Sequence, residues 1–209
     1  MKFYWIWITL IAMCFQVVNA QVQDVSMFIF GHSLIDHRPP AIATPSDETT
    51  VPHWMEDLAG QQGRLFSAGG QFGFLPQHAN LPPISQLGYD NVAGVWESDY
   101  ETFAETNINT ILMTAANFIQ LTPADEPHPI DYSTTVVDAT VEILDWVAEQ
   151  RGEEVNYYIY ANWPEMDLAN PFPPSLPASE EVEAYHESTR QDFIDWWRAY
   201  QNLVLGRRP

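Results

Sequence analysis

Short β-prone runs and longer amphipathic stretches take turns along this chain, and that alternation constrains its fold more than any other feature. Val25 to Phe30 (VSMFIF) reads as a strand that stops at Gly31. Val51 to Gly60 has Pro52 near its start and Gly60 at its end, the punctuation of a helix. Arg64 to Ser67 reads as a short second strand running into Gly69-Gly70. Asn109 to Thr114 reads as a third, with an apolar centre suited to burial on both faces. Ser133 can cap a helix to about Gln150, in which Val137, Val141, Leu144 and Ala148 form one stripe and Gly152 closes the element. Val155 to Tyr160 reads as a fourth strand, followed by a Pro-rich loop from Asn170 to Pro177. A last helix begins near Glu180 and carries Phe193, Trp196, Trp197, Tyr200 and Val204 on its buried side. Strands alternating with helices predict an α/β fold: a three-layer open parallel sheet with helices on both faces. Asp36 to Thr50, with three prolines, reads as a loop over the sheet edge.

The N-terminus reads as a targeting segment. Lys2 supplies a minimal positive region, Phe3 to Val18 is almost continuously apolar, and Val18-Asn19-Ala20 gives a small-residue cleavage pattern before Gln21. Residues 1–20 are therefore expected to be a signal peptide, and the protein secreted or periplasmic. The apolar run is short for a membrane span and no basic stop-transfer cluster follows it. Cys14 is the chain's one cysteine, so residues 21–209 form one domain without disulfide or thiol nucleophile, and its stability must come from its core. Hydrophobic residues make up 46% of the chain, too many for a disordered segment. Against 28 acidic residues stand 8 basic ones, a formal net charge of −20. Such a surface repels nucleic acid and anionic lipid, and leaves neutral or cationic small molecules as expected partners.

Chemistry is concentrated at Met27-Phe28-Ile29-Phe30-Gly31-His32-Ser33-Leu34. A strand that ends on Gly-x-Ser puts a hydroxyl at the carboxyl edge of a sheet, where ligands bind in open α/β folds. Ile35 replaces the second glycine of a Gly-x-Ser-x-Gly elbow, which argues against an ordinary α/β-hydrolase. Three blocks together resemble the SGNH (GDSL-like) hydrolases, a superfamily of esterases and lipases. Gly31-His32-Ser33-Leu34 is similar to their Gly-Asp-Ser-Leu, with His32 in place of the aspartate. Ser67-Ala68-Gly69-Gly70-Gln71-Phe72-Gly73 loosely matches the glycine block after the second strand. Ala115-Ala116-Asn117-Phe118 keeps the asparagine of Gly-x-Asn-Asp but not its glycine or aspartate. The resemblance implies Ser33 as nucleophile. It implies an oxyanion hole made by the Ser33 N–H, a glycine N–H and the Asn117 amide. Gly70 is the chosen glycine, and spacing does not separate it from Gly73. Read as residues alone, the glycines are also what a plain turn needs, and Asn117 is also an ordinary strand-end cap.

A serine nucleophile needs a histidine to take its proton. The family supplies one from an Asp-x-x-His block after a fifth strand, whereas this chain runs directly from its last helix to Arg207-Arg208-Pro209. The expectation is a C-terminally incomplete domain lacking its last strand, its last helix and its general base. The aromatic stripe of the final helix would then be only partly covered. Asp125-Glu126-Pro127-His128 spells Asp-x-x-His, but directly after the third strand, and reads as a surface loop. Glu183 and His186, one turn apart, read as an exposed pair, and His32 as a residue that shapes its turn. His32, Asp36 and His37 lack zinc-type spacing, and Gly69-Gly70-x-x-Gly73 lacks the Lys and Ser/Thr of a phosphate loop, so no metal or cofactor is expected. Trp163-Pro164 beside Asn162 could stack on a sugar ring or simply cap the core. The expected function is a secreted serine esterase acting on a small-molecule or carbohydrate O-acyl ester. A non-catalytic ligand- or carbohydrate-binding protein on the same scaffold is the alternative. A membrane-tethered structural protein is a third, should the first segment stay attached.

Overall fold

Four strands form one sheet, all parallel, in the order β2-β1-β3-β4. They are β1 (Val25–Gly31), β2 (Phe66–Phe72), β3 (Thr110–Thr114) and β4 (Asn156–Tyr160). The computed structural model describes residues 23–36, 50–114, 122–128, 131, 133–152, 154–161 and 177–209. Helices α1 (Val51–Gln61), α2 (Leu75–Asn80), α3 (Val136–Arg151) and α4 (Ser179–Arg207) complete the described elements, with a 3-10 turn at Phe103–Glu105. The expected α/β class and open parallel sheet are therefore present. The Pro-rich loop from 170 lies outside the described residues, except for Pro177.

Strand alternation sorts the core into two layers. Phe28 and Phe30 point to one face with Ile111 and Met113, against α3 and the buried Tyr200 and Val204 of α4. Met27 and Ile29 point to the other with Leu112, against Val51, Met55 and Ala59 of α1. The chain steps one way from β1 to β2 and the opposite way from β3 to β4. Right-handed crossovers in opposite directions place α1 and α3 on opposite faces. Around Phe28 the first layer is aromatic: Phe30, Trp96 and Phe103 meet it edge-on at centroid distances of 5.3, 6.2 and 5.2 Å.

Helix ends follow local chemistry. Thr50 caps α1 by accepting from the His53 N–H at 3.2 Å. Thr135, rather than Ser133, caps α3, accepting from the Asp138 N–H at 2.9 Å. Ser133 is instead drawn to Asp131, its hydroxyl 2.6 Å from that carboxylate. Gly152 ends α3 with φ 76°, a left-handed conformation that other residues resist. The buried stripe of α3 is Val136, Val137, Ala139, Thr140, Ile143, Leu144 and Val147. Val141 and Ala148, expected on that stripe, are only half-buried, because α3 is covered by both sheet and α4 and its buried arc is rotated from a single row.

Two features depart from expectation. Strand β2 continues through Gly69 and Gly70 rather than ending before them. And α2, six residues long with proline in its first turn, was not foreseen. Among the described residues, no helix is long and apolar enough to cross a membrane.

Candidate active site

In this strand order β1 and β3 are neighbours whose connections leave in opposite directions, so the crevice of an open sheet lies beyond their carboxyl ends. Ser33 stands there. The His32 carbonyl accepts from the Ile35 and Asp36 N–H groups at 2.9 and 3.3 Å, closing a tight turn immediately after β1. The Leu34 N–H donates to His32 Nδ1 at 3.4 Å, and the buried His32 ring lies 5.5 Å from that of Phe74. His32 therefore shapes the turn, as expected, and the Ser33-Leu34 tip projects into solvent. Among the described residues the Ser33 hydroxyl has no hydrogen-bond partner. Asp36 pairs with Thr50 across the base of the loop between them, whose residues 37–49, His37 included, lie outside the described set.

The two glycines do not take the role expected of them. Gly70 is buried within β2, where its N–H donates to the Leu87 carbonyl at 3.0 Å and its carbonyl accepts from the Leu87 N–H at 2.7 Å. The Gly73 N–H donates to the Gly31 carbonyl at 2.8 Å, extending the β1–β2 ladder. Neither N–H is available to an oxyanion in this arrangement. Glycine is required at 70 for a different reason. A Cβ there would lie 2.6 Å from the Ile29 carbonyl and 2.5 Å from the Tyr89 hydroxyl, so the absent side chain lets the segment around Leu87 and Tyr89 lie against β2.

Asn117, the third expected site residue, lies outside the described residues, as do Asn162, Trp163 and Pro164. The described chain reaches Thr114, whose hydroxyl donates to the Phe30 carbonyl at 3.4 Å and so joins the carboxyl ends of β3 and β1.

A second histidine beside His32 stands at this edge, and it was missed from sequence. His78 of α2 is buried, with Nε2 3.3 Å from the Gly31 carbonyl and Nδ1 3.2 Å from Gln71 Oε1. Burial pulls its pKa down to about 4, against weaker opposition from backbone hydrogen bonds. Burial keeps the ring neutral at pH 7, so its single N–H donates to one of these two acceptors, and with Gly31 and Gln71 rather than Ser33 as its recorded partners the ring is a strut of the edge. Its sequence signal was Pro76 two residues earlier, a residue suited to a helix start. His128 corrects the surface-loop reading of residues 125–128. Asp125, Glu126 and Pro127 are exposed, but His128 is fully buried and its N–H donates to the Thr134 carbonyl at 2.7 Å. Burial lowers its pKa, and the carboxylate that opposes this is Asp131, not the Asp125 of the motif. Glu183 and His186 are exposed, as expected. Nearby, burial first and Asp36 second push the Tyr89 hydroxyl well above the ordinary tyrosine range.

Comparison of the chain with protein-family models, with curated proteins and with solved structures gives no match.

Proposed function

We infer that the chain is a serine hydrolase of SGNH type, exported by its N-terminal segment and acting on an ester such as an O-acyl group of a carbohydrate. One observation carries the reading: Ser33 is solvent-exposed and without a hydrogen-bond partner among the described residues, at the β1/β3 switch point of a parallel sheet. Ser33 Oγ would attack the acyl carbon, its proton passing to a base outside the described contacts of Ser33 and the alcohol leaving, to give an acyl-enzyme that water then cleaves, while the Ser33 N–H would face the developing oxyanion. Asn117 follows Thr114, the described end of β3, by three residues in the sequence and would supply the side-chain amide. The reading carries no glycine donor, because the Gly70 and Gly73 N–H groups are engaged in the sheet.

That engagement favours a second reading, in which the same edge binds an ester or sugar without turning it over. Hydrolysis of p-nitrophenyl acetate by the full chain separates the two. The hydrolase reading expects Ser33→Ala to lower kcat/KM about a thousandfold or more. The fold should be unaffected, since an exposed surface substitution changes stability by no more than about 0.5 kcal/mol. Turnover indifferent to Ser33→Ala removes this serine from the chemistry. No turnover, with a sugar ester still bound, favours the second reading or a hydrolase whose base lies outside this chain, and turnover restored by added imidazole separates these two.

A further inference from the structure

Helix α2 lies at the carboxyl ends of β1 and β2, and one buried ring fastens it there. Six residues long, it is too short to stand by itself in water. Leu75, fully buried, anchors its start in the core. Towards its end, the His78 ring reaches both strands. Nε2 lies 3.3 Å from the Gly31 carbonyl, Nδ1 lies 3.2 Å from Gln71 Oε1, and the ring meets Phe30 edge-on at 5.5 Å. Gln71 Nε2 in turn donates to the Leu81 carbonyl at 2.8 Å, which ties the residue after α2 to β2 as well.

These contacts converge on the residue from which the Ser33 turn springs. The Gly31 carbonyl takes the Gly73 N–H at 2.8 Å and also faces His78, so β2 and α2 together fix the end of β1. A further contact runs from Phe74, the residue before α2, whose ring lies 5.5 Å from that of His32. The seat of α2 and the position of the turn are therefore one arrangement.

Charge decides whether the ring can keep its place. An imidazolium there would find acceptors at Gln71, Gly31 and Gly73, but it would be buried with no carboxylate against it, and burial is the larger effect. Among the described residues, His32 is the one titratable group that acts on the ring, and it opposes protonation. The residues of β1 and β2 that touch the ring are uncharged, as are the other residues of α2. On α3, which packs against α2, Asp138 is bound to Thr135 and Arg207 and Asp145 to Arg208, and neither these nor Glu142 and Glu149 act on the ring. Asp131, which accepts from Asn80 at the end of α2, acts on His128 instead.

We propose that α2 is a pH-sensitive latch on the Ser33 turn: a neutral His78 ring holds it shut, and protonation of that ring frees the end of α2 and loosens the turn. The latch is a property of the fold alone; that it governs turnover rests on the hydrolase reading. Out in water the ring takes a proton near pH 6.5, but in its slot only at about 4. The open form thus binds a proton that the closed form refuses, and closure weakens as pH falls from 6.5 towards 4.

Protection of single amides against hydrogen exchange, taken relative to the free rate at each pH, reads the latch in the full chain. The amides of His78 and Leu81, bonded to the Phe74 and Gln77 carbonyls, should lose protection about twentyfold from pH 7 to pH 5. Those of Ile35 and Asp36, bonded to the His32 carbonyl in the turn, should follow. Low urea should leave these four rates unaltered, the mark of a local opening, whereas amides within β1 and β3 exchange through urea-sensitive global unfolding. In His78→Gln, which has no titrating group at this position, the pH effect at all four amides should vanish. Unchanged protection in the native chain at pH 5 overturns the latch, whether or not the variant folds. So does a loss that occurs only through urea-sensitive unfolding, or one that persists in His78→Gln. Hydrolysis of p-nitrophenyl acetate at both pH values then separates the latch from what it governs. Opening without Ser33-dependent turnover keeps the latch and removes the hydrolase reading, whereas Ser33-dependent turnover with unchanged protection does the reverse.

Discussion

At the scale of single residues, the carboxyl edge rests on groups whose protonation is set by burial. The structure keeps His78 neutral down to about pH 4, whereas the unfolded chain protonates it near 6.5. Between those values the unfolded state binds a proton that the folded state does not, so stability falls as pH falls. The contribution from His78 is whole above pH 6.5 and lost by about pH 4, amounting to about 3 kcal/mol. Urea unfolding at pH 7 and pH 4.5 should therefore show a larger loss for the native chain than for His78→Gln, and equal losses would show that His78 is not held neutral. The exposed place of Ser33 after β1 was legible in the sequence because a glycine-terminated strand leaves few places for the next hydroxyl. The sequence did not reveal His78 or the burial of His128. A lone histidine in a short segment carries no periodicity, and its burial is decided by distant elements that close over it. Gly70 was read as a ligand-facing glycine when its role is to let another backbone approach, since sequence shows the absence of a side chain but not what occupies its space.

At the scale of elements, the strands and long helices follow from their patterns to within a residue or two. Only the second strand and α2 required tertiary information. The paired glycines explain the first: glycines read as the end of a strand, yet the bridges to Leu87 and Ala93 hold β2 in the sheet, whereas α2 is too short to show a periodicity. Two substitutions test this account in opposite directions. Gly70→Ala drives a methyl group into the Ile29 carbonyl and should destabilise the fold by roughly 3 kcal/mol or more, seen as a fall in the denaturation midpoint. Gly60→Ala, within α1 and with nothing within 4 Å of the new atom, should stabilise by about 0.5–1 kcal/mol. At the start of α3, Thr135→Ala removes the cap and should cost about 1 kcal/mol in the same measurement.

At the scale of the whole molecule, net charge acts against compactness. With a formal net charge of −20, the folded chain repels itself, and its ion pairs are few among the described residues. Arg207 and Arg208 are exceptions, tying the end of α4 to Asp138 and Asp145 of α3. Screening should therefore raise the melting temperature by about 3–5 °C between 20 and 500 mM salt in a calorimetric scan, whereas a chain held together by ion pairs would melt earlier. The cover over β2 has a consequence of its own. One amide side chain fills the spaces left by both Gly69 and Gly94, and its oxygen accepts from the Val95 and Trp96 N–H groups at 3.0 and 3.1 Å. Shortening the Gln86 side chain would take the acceptor from two amides and empty the space above two glycines at once, so the strap that closes the outer side of β2 hangs on one glutamine.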